Sequence, residues 1–330
     1  MPQNLGQIIE ANGAIFSRSQ ALDCGETDRT LAMAVRDGVL VRLRRGFYVR
    51  AETYAAATGA SAKHLLYARA AVAAQRGKVA LAGASAAALH GFDIYDTSLD
   101  VVHLMRLDSG STRREAGIVH HGSRQDIEEE LGWYDGLLAS VPARAVWEVA
   151  CRSSLEGGVV TADSALHQIP ELEEVLQTLQ ERFALFPGSV KGRTVIRLSD
   201  GRSDSPGESV TRVQFYRYGI PVPDLQYDVV DERGALIGTS DFYWDDFRHL
   251  GEFDGKIKYQ KLLRRGESPS DCVFREKRRE DAMRADRRGM SRFAWSDVMS
   301  QNARRTMTQL RAALDQSRRL YVRGRTIIAS

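Results

Sequence analysis

The sequence predicts a mixed α/β (α+β) chain that folds as several domains. Helical and strand-like patterns alternate along its whole length, and 330 residues are more than one ordinary hydrophobic core requires. Two loop-like stretches, at 186–189 and 199–207, interrupt the later part of the chain. We therefore expect three domains, formed by residues 1–50, 51–185 and 186–330.

The composition is that of a folded protein, with 43% hydrophobic and 27% charged residues. No apolar run is long enough for a membrane span, and the N-terminus lacks the pattern of a signal peptide. Cys24, Cys151 and Cys272 are odd in number and far apart, which excludes a disulfide framework and a Cys-x-x-Cys zinc site. We expect a cytoplasmic protein without a membrane partner.

The charge is distributed unevenly. The net charge is +3, but residues 256–330 carry 20 Lys/Arg against 8 Asp/Glu, so the rest of the chain is acidic. A basic segment on an acidic chain favours a polyanion as partner, although such segments also occur as solvated helix faces.

Residues 1–50 are predicted to form three helices and a hairpin. The segment 3–11 has apolar residues at helical spacing, and Ser17 and Thr27 are N-cap residues for two further helices. Asp37-Gly38 ends the third helix. Two β-rich runs within 39–50 are joined by Arg-Arg-Gly, which predicts a hairpin with a basic tip.

This order of elements is typical of a winged helix-turn-helix, whose third helix enters the major groove while the hairpin contacts phosphates. The candidate base-contacting residues on the third helix are Arg29, Thr30, Met33 and Arg36. The candidate phosphate-binding residues on the hairpin are Arg42, Arg44 and Arg45. The alternative is a small protein-interaction module with the same fold.

Residues 51–185 are predicted to form an α/β unit without a catalytic constellation. Helical patterns lie at 64–74, 85–90, 142–149 and 162–183, and strand-like runs lie at 79–82, 99–104 and 117–121. His120 and His121 are neighbours on a predicted strand. Their side chains therefore point to opposite faces and cannot chelate one metal ion together.

Several short motifs in this part, together with the N-terminal segment, resemble the AbiEi family of antitoxins and transcriptional repressors over about residues 5–180. They are Gly83-Ala84-Ser85-Ala86-Ala87-Ala88-Leu89-His90-Gly91, the strand Val102-His103-Leu104, and Val141-Pro142-Ala143-Arg144. The resemblance implies a winged helix that represses its own promoter, a nucleotidyltransferase-like middle domain, and a cognate toxin protein as partner. Transferase activity is not expected, because no Gly-Ser followed by paired aspartates is present.

Residues 186–330 are predicted to contain a helix, three strands, a charged helix, a short strand and a final helix. Their expected ranges are 208–218, 225–230, 235–244, 250–259, 274–288, 292–295 and 298–318.

Acidic residues gather on two of these strands. Asp241 lies near the end of the second strand, and alternation places Glu252, Asp254 and Lys256 on one face of the third. We expect Asp241, Glu252 and Asp254 to hold Mg²⁺ or Mn²⁺, with Glu208 completing the metal shell. The metal would acidify a water and neutralise a scissile phosphate, and Lys256 would stabilise the transition state or orient the water.

This arrangement resembles the PD-(D/E)XK nuclease superfamily over about residues 205–298. Within that superfamily, it is most similar to the branch near the very-short-patch repair endonucleases. Asp254-Gly255-Lys256 fits the acid-x-lysine element, whereas Glu252-Phe253-Asp254 places an acid where lysine belongs. Ser240, not proline, precedes Asp241. The alternatives are a nuclease-like fold that only binds and an ordinary strand with a charged face.

The sequence thus predicts a DNA-binding protein whose restriction-endonuclease-like C-terminal domain hydrolyses phosphodiesters. The alternative is an AbiEi-type antitoxin and autorepressor whose C-terminal domain serves binding. The oligomeric state stays open, since no heptad or apolar seam marks an interface.

Overall fold

The computed structural model describes residues 15–75, 77–108, 110–123, 128–255, 278–279, 282–283 and 287–322. The chain divides into two compact units, one formed by residues 1–165 and 169–197 and the other by residues 166–168 and 198–330. Both contain helices and a β-sheet, so the prediction of a mixed α/β chain with more than one domain is confirmed. The predicted helix at 3–11 lies outside the described residues.

The first unit begins with two short helices and a three-stranded antiparallel sheet in the order β1-β3-β2. The elements are β1 (Ile15–Ser17), α1 (Arg18–Asp23), α2 (Asp28–Arg36), β2 (Leu40–Arg44) and β3 (Phe47–Arg50). Ser17 and Thr27 cap the two helices with reciprocal capping boxes, as their side chains predict. The two predicted helices and the hairpin are therefore confirmed.

Two apolar clusters hold these elements in place. Phe16 and Leu40 of the sheet pack with Ala21 of α1 and Leu31 of α2, all at most 3% exposed. On the other side of the sheet, a second cluster joins Ile15, Leu43 and Val49 to Leu66 and Ala70 on the following long helix. The orientation of the three-stranded sheet is therefore fixed by apolar side chains buried on both of its faces.

The remainder of the first unit is a six-stranded mixed sheet with helices packed against it, in the strand order β6-β7-β5-β4-β9-β8. Its strands are β4 (Val79–Leu81), β5 (Val102–Arg106), β6 (Arg113–Glu115), β7 (Ile118–Gly122), β8 (Leu131–Tyr134) and β9 (Leu137–Ser140). Its helices are α3 (Ala51–Ala56), α4 (Ala60–Ala73), α5 (Gly83–Leu89), α6 (Pro142–Arg152), α7 (Leu155–Gln168), α8 (Leu172–Arg182) and α9 (Ser189–Leu198).

Two features of this unit differ from the sequence prediction. The edge strands β6 and β8, and β9 next to β8, were not predicted, because all three are short and the two edge strands lack apolar alternation. The single helix expected over 162–183 is wrong. It is interrupted at Ile169-Pro170, since the residue before a proline disfavours helical backbone.

A buried ionic network stabilises the base of α6. Glu148, 1% exposed, accepts hydrogen bonds from the Gly83 amide at 2.7 Å and from Nε of Arg144 at 3.0 Å. Arg144 also binds Glu130 at 2.9 Å, and its guanidinium lies 4.2 Å above the Phe183 ring. The charges are thus paired, as burial requires.

The second unit has a four-stranded sheet in the order β10-β11-β12-β13, with β12 and β13 parallel and the other pairs antiparallel. Its elements are α10 (Pro206–Arg217), β10 (Asp224–Val230), β11 (Leu236–Trp244), β12 (His249–Phe253), β13 (Gly289–Phe293), α11 (Trp295–Val298) and α12 (Ser300–Tyr321). Ser205 caps α10, and Phe215 packs edge-on against Phe242 and Phe293.

The predicted order of helix, three strands, strand and final helix is confirmed for the described part of this unit. The third strand was expected to reach Tyr259, but β12 ends at Phe253, and residues 256–259 lie outside the described residues. Of the predicted charged helix over 274–288, the structure describes helical residues at 278–279 and 282–283.

Candidate nucleic-acid interface and carboxylate cluster

The helix α2 turns one polar face to solvent. Leu31 is buried in the core, whereas Arg29, Thr30, Met33 and Arg36 are all exposed. These positions follow the i, i+1, i+4, i+7 spacing of one helical face. The sequence analysis therefore placed all four candidate base-contacting residues on a surface that a ligand can reach.

The start of α2 is held by polar contacts that involve one of these residues. The Thr30 hydroxyl takes part in the capping box with Thr27 and donates to Glu26 at 2.7 Å. Arg18 forms a two-pronged ion pair with Asp28 at 2.6 Å, which lowers the pKa of that carboxyl through the hydrogen bond. Thr30 consequently orders the helix N-terminus as well as facing solvent.

The hairpin between β2 and β3 presents a basic tip. Its turn passes through Gly46 at a φ of +79°, a conformation that favours glycine. Arg42 and Arg45 are exposed, while Arg44 is half-buried with Nη2 4.0 Å from Oε1 of Glu115 on β6. Two of the three predicted phosphate-binding arginines are thus open to solvent, and the third is directed at a carboxylate.

Glu115 has a second partner in the buried imidazole of His120, whose Nε2 lies 3.2 Å from it. On the opposite face of β7, His121 lies 2.9 Å from His103 on β5, with the two rings stacked. The prediction that the His120 and His121 side chains point to opposite faces of the strand is confirmed. The partner His103 was missed, since pairing between parallel strands is not visible in a local pattern.

In the second unit, two predicted metal ligands face each other across neighbouring strands. Phe242 pairs with Gly251, so continuation of the antiparallel register places Asp241 beside Glu252. Both are nearly buried, at 9% and 8% exposure, and Asp241 Oδ2 accepts a 2.6 Å hydrogen bond from the Phe253 amide. Burial raises the pKa of Glu252, the charges of two arginines oppose that shift, and the nearby Asp241 charge adds a smaller upward effect.

Those arginines are Arg279 and Arg292, whose pairing with Glu252 was not predicted from the sequence. Nη2 of Arg279 lies 3.0 Å from Oε1 of Glu252, and Nη2 of Arg292 lies 3.2 Å from Oε2. Arg292 is the register partner of Glu252 on the parallel strand β13. Its Nη1 also lies 3.9 Å from Oδ2 of Asp254. The predicted common face of Glu252 and Asp254 is consistent with this shared arginine.

Of the other two predicted catalytic residues, Glu208 is the one that the structure describes. Glu208 is 1% exposed and binds the Ser205 hydroxyl, the Asp204 amide and the Gln226 side chain at 2.7–3.0 Å, which makes it part of the cap of α10. Lys256 lies outside the described residues. Gln226 was not predicted from the sequence. It has a φ of +51° and lies on β10, opposite Asp241 in the register of β10 and β11.

The carboxylates of the second unit meet only the smallest ligand requirement of Mg²⁺. The described ranges contain no group of three or more His, Cys, Asp or Glu residues that converges on one point. However, Mg²⁺ in nucleic-acid enzymes commonly uses one or two carboxylates together with waters and substrate phosphates. The facing pair Asp241 and Glu252 fits that smaller requirement, provided that the arginines move away from Glu252.

Comparison with known proteins gives a family match for the N-terminal part. A family model described as "Transcriptional regulator, AbiEi antitoxin" matches residues 7–51. This stretch contains α1, α2 and the basic hairpin.

Similar proteins occur in Mycobacterium tuberculosis. The uncharacterized proteins MT2308 (strain CDC 1551 / Oshkosh) and Rv2248 (strain ATCC 25618 / H37Rv) are each 29% identical over 280 residues, covering 79% of this chain and 95% of the relative. The crystal structure of the RV2827C protein from the same species aligns with a TM-score of 0.35 at 14% identity, over 60% of this chain and 80% of that one. That likeness is too low to carry an argument. Among the described helices, none is long and apolar enough to cross a membrane.

Proposed function

We propose that the chain is a DNA-binding transcriptional regulator of the AbiEi antitoxin type, which binds duplex DNA with a winged helix-turn-helix at its N-terminus. The observation that carries the proposal is the shared exposure of Arg29, Met33 and Arg36 on α2 and of Arg42 and Arg45 on the hairpin. Side chains on such a helix read base edges in the major groove, and arginines on a wing bind phosphates.

The packing of this region supports the same function. DNA-reading side chains must be held on rigid elements, and α2 and the hairpin are fixed by the apolar clusters around Phe16 and Val49. The family match over residues 7–51 coincides with these elements. As a regulator of the antitoxin type, the chain would also bind a cognate toxin protein, which co-expression and co-purification would test.

A binding experiment separates the two roles of the arginines. We would measure fluorescence anisotropy with a duplex from the region upstream of the protein's own gene and with a scrambled duplex of equal composition. Arg29→Ala with Arg36→Ala should reduce the discrimination between duplexes, whereas Arg42→Ala with Arg45→Ala should weaken both about equally. Equal binding by wild type and all variants would reject the assignment.

The second unit supports a second candidate, metal-dependent phosphodiester hydrolysis at Asp241, Glu252 and Asp254. The observation that favours it is the juxtaposition of two nearly buried carboxylates, Asp241 and Glu252, on adjacent strands of a helix-flanked mixed sheet. A bound Mg²⁺ or Mn²⁺ would supply an acidified water and neutralise the phosphate. The chain's own groups orient this pair, through the Phe253 amide on Asp241 and the arginines on Glu252.

Plasmid nicking in the presence of Mg²⁺ or Mn²⁺ tests this candidate. Asp241→Ala and Asp254→Ala should each abolish cleavage and leave duplex binding intact. Asp246→Ala, which removes an exposed carboxylate from the same unit, serves as the control and should cleave normally. Cleavage that survives in the Asp241 and Asp254 variants would rule out these residues, and binding without any cleavage would leave the regulator function alone.

A further inference from the structure

The arginines on Glu252 point to an inference that rests on the second candidate function and extends it. We propose that Arg279 and Arg292 compete with a divalent cation for Glu252 of the carboxylate pair. When a phosphodiester binds these two arginines, Glu252 becomes available to a divalent metal, so that metal and nucleic acid bind cooperatively.

The carboxylates and the arginines around Glu252 carry opposite charges. Asp241 and Glu252 lie side by side on neighbouring strands, Arg279 and Arg292 lie 3.0 and 3.2 Å from Glu252, and Arg292 also lies 3.9 Å from Asp254. A carboxylate at 8% exposure is poorly hydrated, so the charged form of Glu252 is stable only with a cationic partner. The arginines leave it only when another cation takes their place.

The fold holds each arginine in place. Arg292 is fixed by the parallel register of β12 and β13, which sets it directly beside Glu252. Arg279 lies over Gly238 on β11, where an added Cβ would come within 3.1 Å of Nη1, and the same Nη1 is 3.5 Å from the Met283 sulfur. Both guanidinium groups are therefore placed by the fold and not by chance surface pairing.

A phosphate can draw the arginines away. A guanidinium binds a phosphate with the same two-pronged geometry that it offers a carboxylate. Both arginines retain partial exposure, with side chains 29% and 35% accessible. A phosphodiester approaching the cluster can thus accept their hydrogen bonds, while a divalent cation replaces their charge at Glu252.

This exchange predicts reciprocal coupling. Without nucleic acid, the metal competes with two arginines for Glu252 and binds weakly. A bound oligonucleotide raises the affinity of the protein for the metal. By linkage, metal raises the affinity for the oligonucleotide by the same factor, in the range of roughly 5- to 100-fold that is typical of coupled sites.

The test is a Mn²⁺ titration of the full-length protein followed by electron paramagnetic resonance, with and without a short phosphorothioate thymidine oligonucleotide. In wild type the oligonucleotide should tighten Mn²⁺ binding. Arg279→Gln and Arg292→Gln should bind Mn²⁺ more tightly than wild type without the oligonucleotide, and should gain less from its addition. Arg305→Gln, an exposed arginine of the same unit, is the matched control and should behave as wild type.

A milder variant guards against misfolding. Gly238→Ala keeps every charged group but displaces the Arg279 guanidinium, so its Mn²⁺ affinity should lie between those of wild type and Arg279→Gln. Circular dichroism of each variant identifies any that fails to fold, and Gly238→Ala then decides in its place.

The outcomes separate the exchange from the function on which it rests. Mn²⁺ binding that is lost in Glu252→Gln, but is insensitive to the oligonucleotide and to the arginine variants, overturns the exchange and leaves the metal site standing. Mn²⁺ binding that is unchanged in Glu252→Gln and Asp241→Asn, or absent from wild type and arginine variants alike, overturns the metal-dependent function itself.

Discussion

Arginine is used in opposite ways in two regions of this chain. On α2 and its hairpin, Arg29, Arg42 and Arg45 are exposed side chains supported by an apolar core below them. In the second unit, Arg279 and Arg292 are directed at a carboxylate that is almost buried. The same residue type is presented to solvent in one region and neutralised in the other.

The number of arginines in a segment therefore does not by itself locate a nucleic-acid surface. An exposed arginine can neutralise a phosphate at little cost, and each such contact adds to the salt dependence of binding. An arginine paired with a buried carboxylate must first be released. The proposed regulator function accordingly rests on the N-terminal region, although the excess of basic residues lies at 256–330.

The largest expected effect concerns the ion pair between Arg144 and Glu148, which is buried inside the first unit. Glu148→Ala leaves Arg144 without its 3.0 Å partner and Gly83 without its acceptor, so we expect a loss of about 3 kcal/mol in unfolding free energy. Glu52→Ala, which removes an exposed partner of Arg50, should change it by about 0.5 kcal/mol or less. Urea denaturation measures the unfolding free energy of both variants. Equal losses would contradict the distinction between arginines paired with a buried carboxylate and arginines paired at the surface.

The second prediction concerns the hairpin itself. Arg42→Ala with Arg45→Ala should weaken duplex binding by about 10- to 100-fold at moderate salt, since two phosphate contacts disappear. Arg44→Ala is the matched control with a smaller expected loss, because Arg44 is half-buried and faces Glu115. A larger loss for Arg44 than for the double variant would show that the accessible arginines were misassigned.

A third prediction uses histidines near an arginine. Burial, and next the charge of Arg152, lower the pKa of both His103 and His121 to about 4 from an ordinary value of 6.5. Because the unfolded chain binds these protons more readily, the stability that the neutral pair provides is present above pH 6.5 and is lost as the pH falls towards 4. The loss should be on the order of 2 kcal/mol.

Thermal or urea denaturation between pH 7 and pH 4 checks this slope, with His103→Gln as the comparison. The variant should show a shallower decline over the same pH range. An identical decline in wild type and variant would mean that other groups dominate acid unfolding.

The smallest effect is expected at the hairpin turn. Gly46 has a φ of +79°, so Gly46→Ala should cost about 1 kcal/mol and shift the hairpin arginines. Gly255→Ala, at a glycine without positive φ where an added Cβ would make only an ordinary contact, is the control. A Gly46 variant as stable as wild type, with unchanged DNA affinity, would show that the turn does not position the arginines.

Local signals explain why much of the N-terminal region was predictable. Ser17 and Thr27 mark helix starts through hydrogen bonds that span three residues, and the Arg-Arg-Gly turn lies between its own strands. The four exposed positions of α2 follow from helical periodicity alone. The break at Pro170 was equally local and was overlooked.

The surroundings of the carboxylates depend on distant parts of the chain. Asp241 and Glu252 were identified by strand alternation, but Arg279 and Arg292 reach Glu252 across 27 and 40 residues. The pairing of β12 with β13 places Arg292, and no local pattern encodes that register. Glu208 was expected to complete the metal shell. Its hydrogen bonds with Ser205 and Gln226, which occupy its carboxylate, were not predicted.

The most direct test of the central claim is the salt dependence of duplex binding by wild type and by the Arg42→Ala, Arg45→Ala variant. The logarithm of the affinity should fall steeply and linearly with the logarithm of the salt concentration, and the variant should lose about two units of slope. A flat dependence in wild type, or equal slopes in the two proteins, would contradict DNA binding by the hairpin arginines.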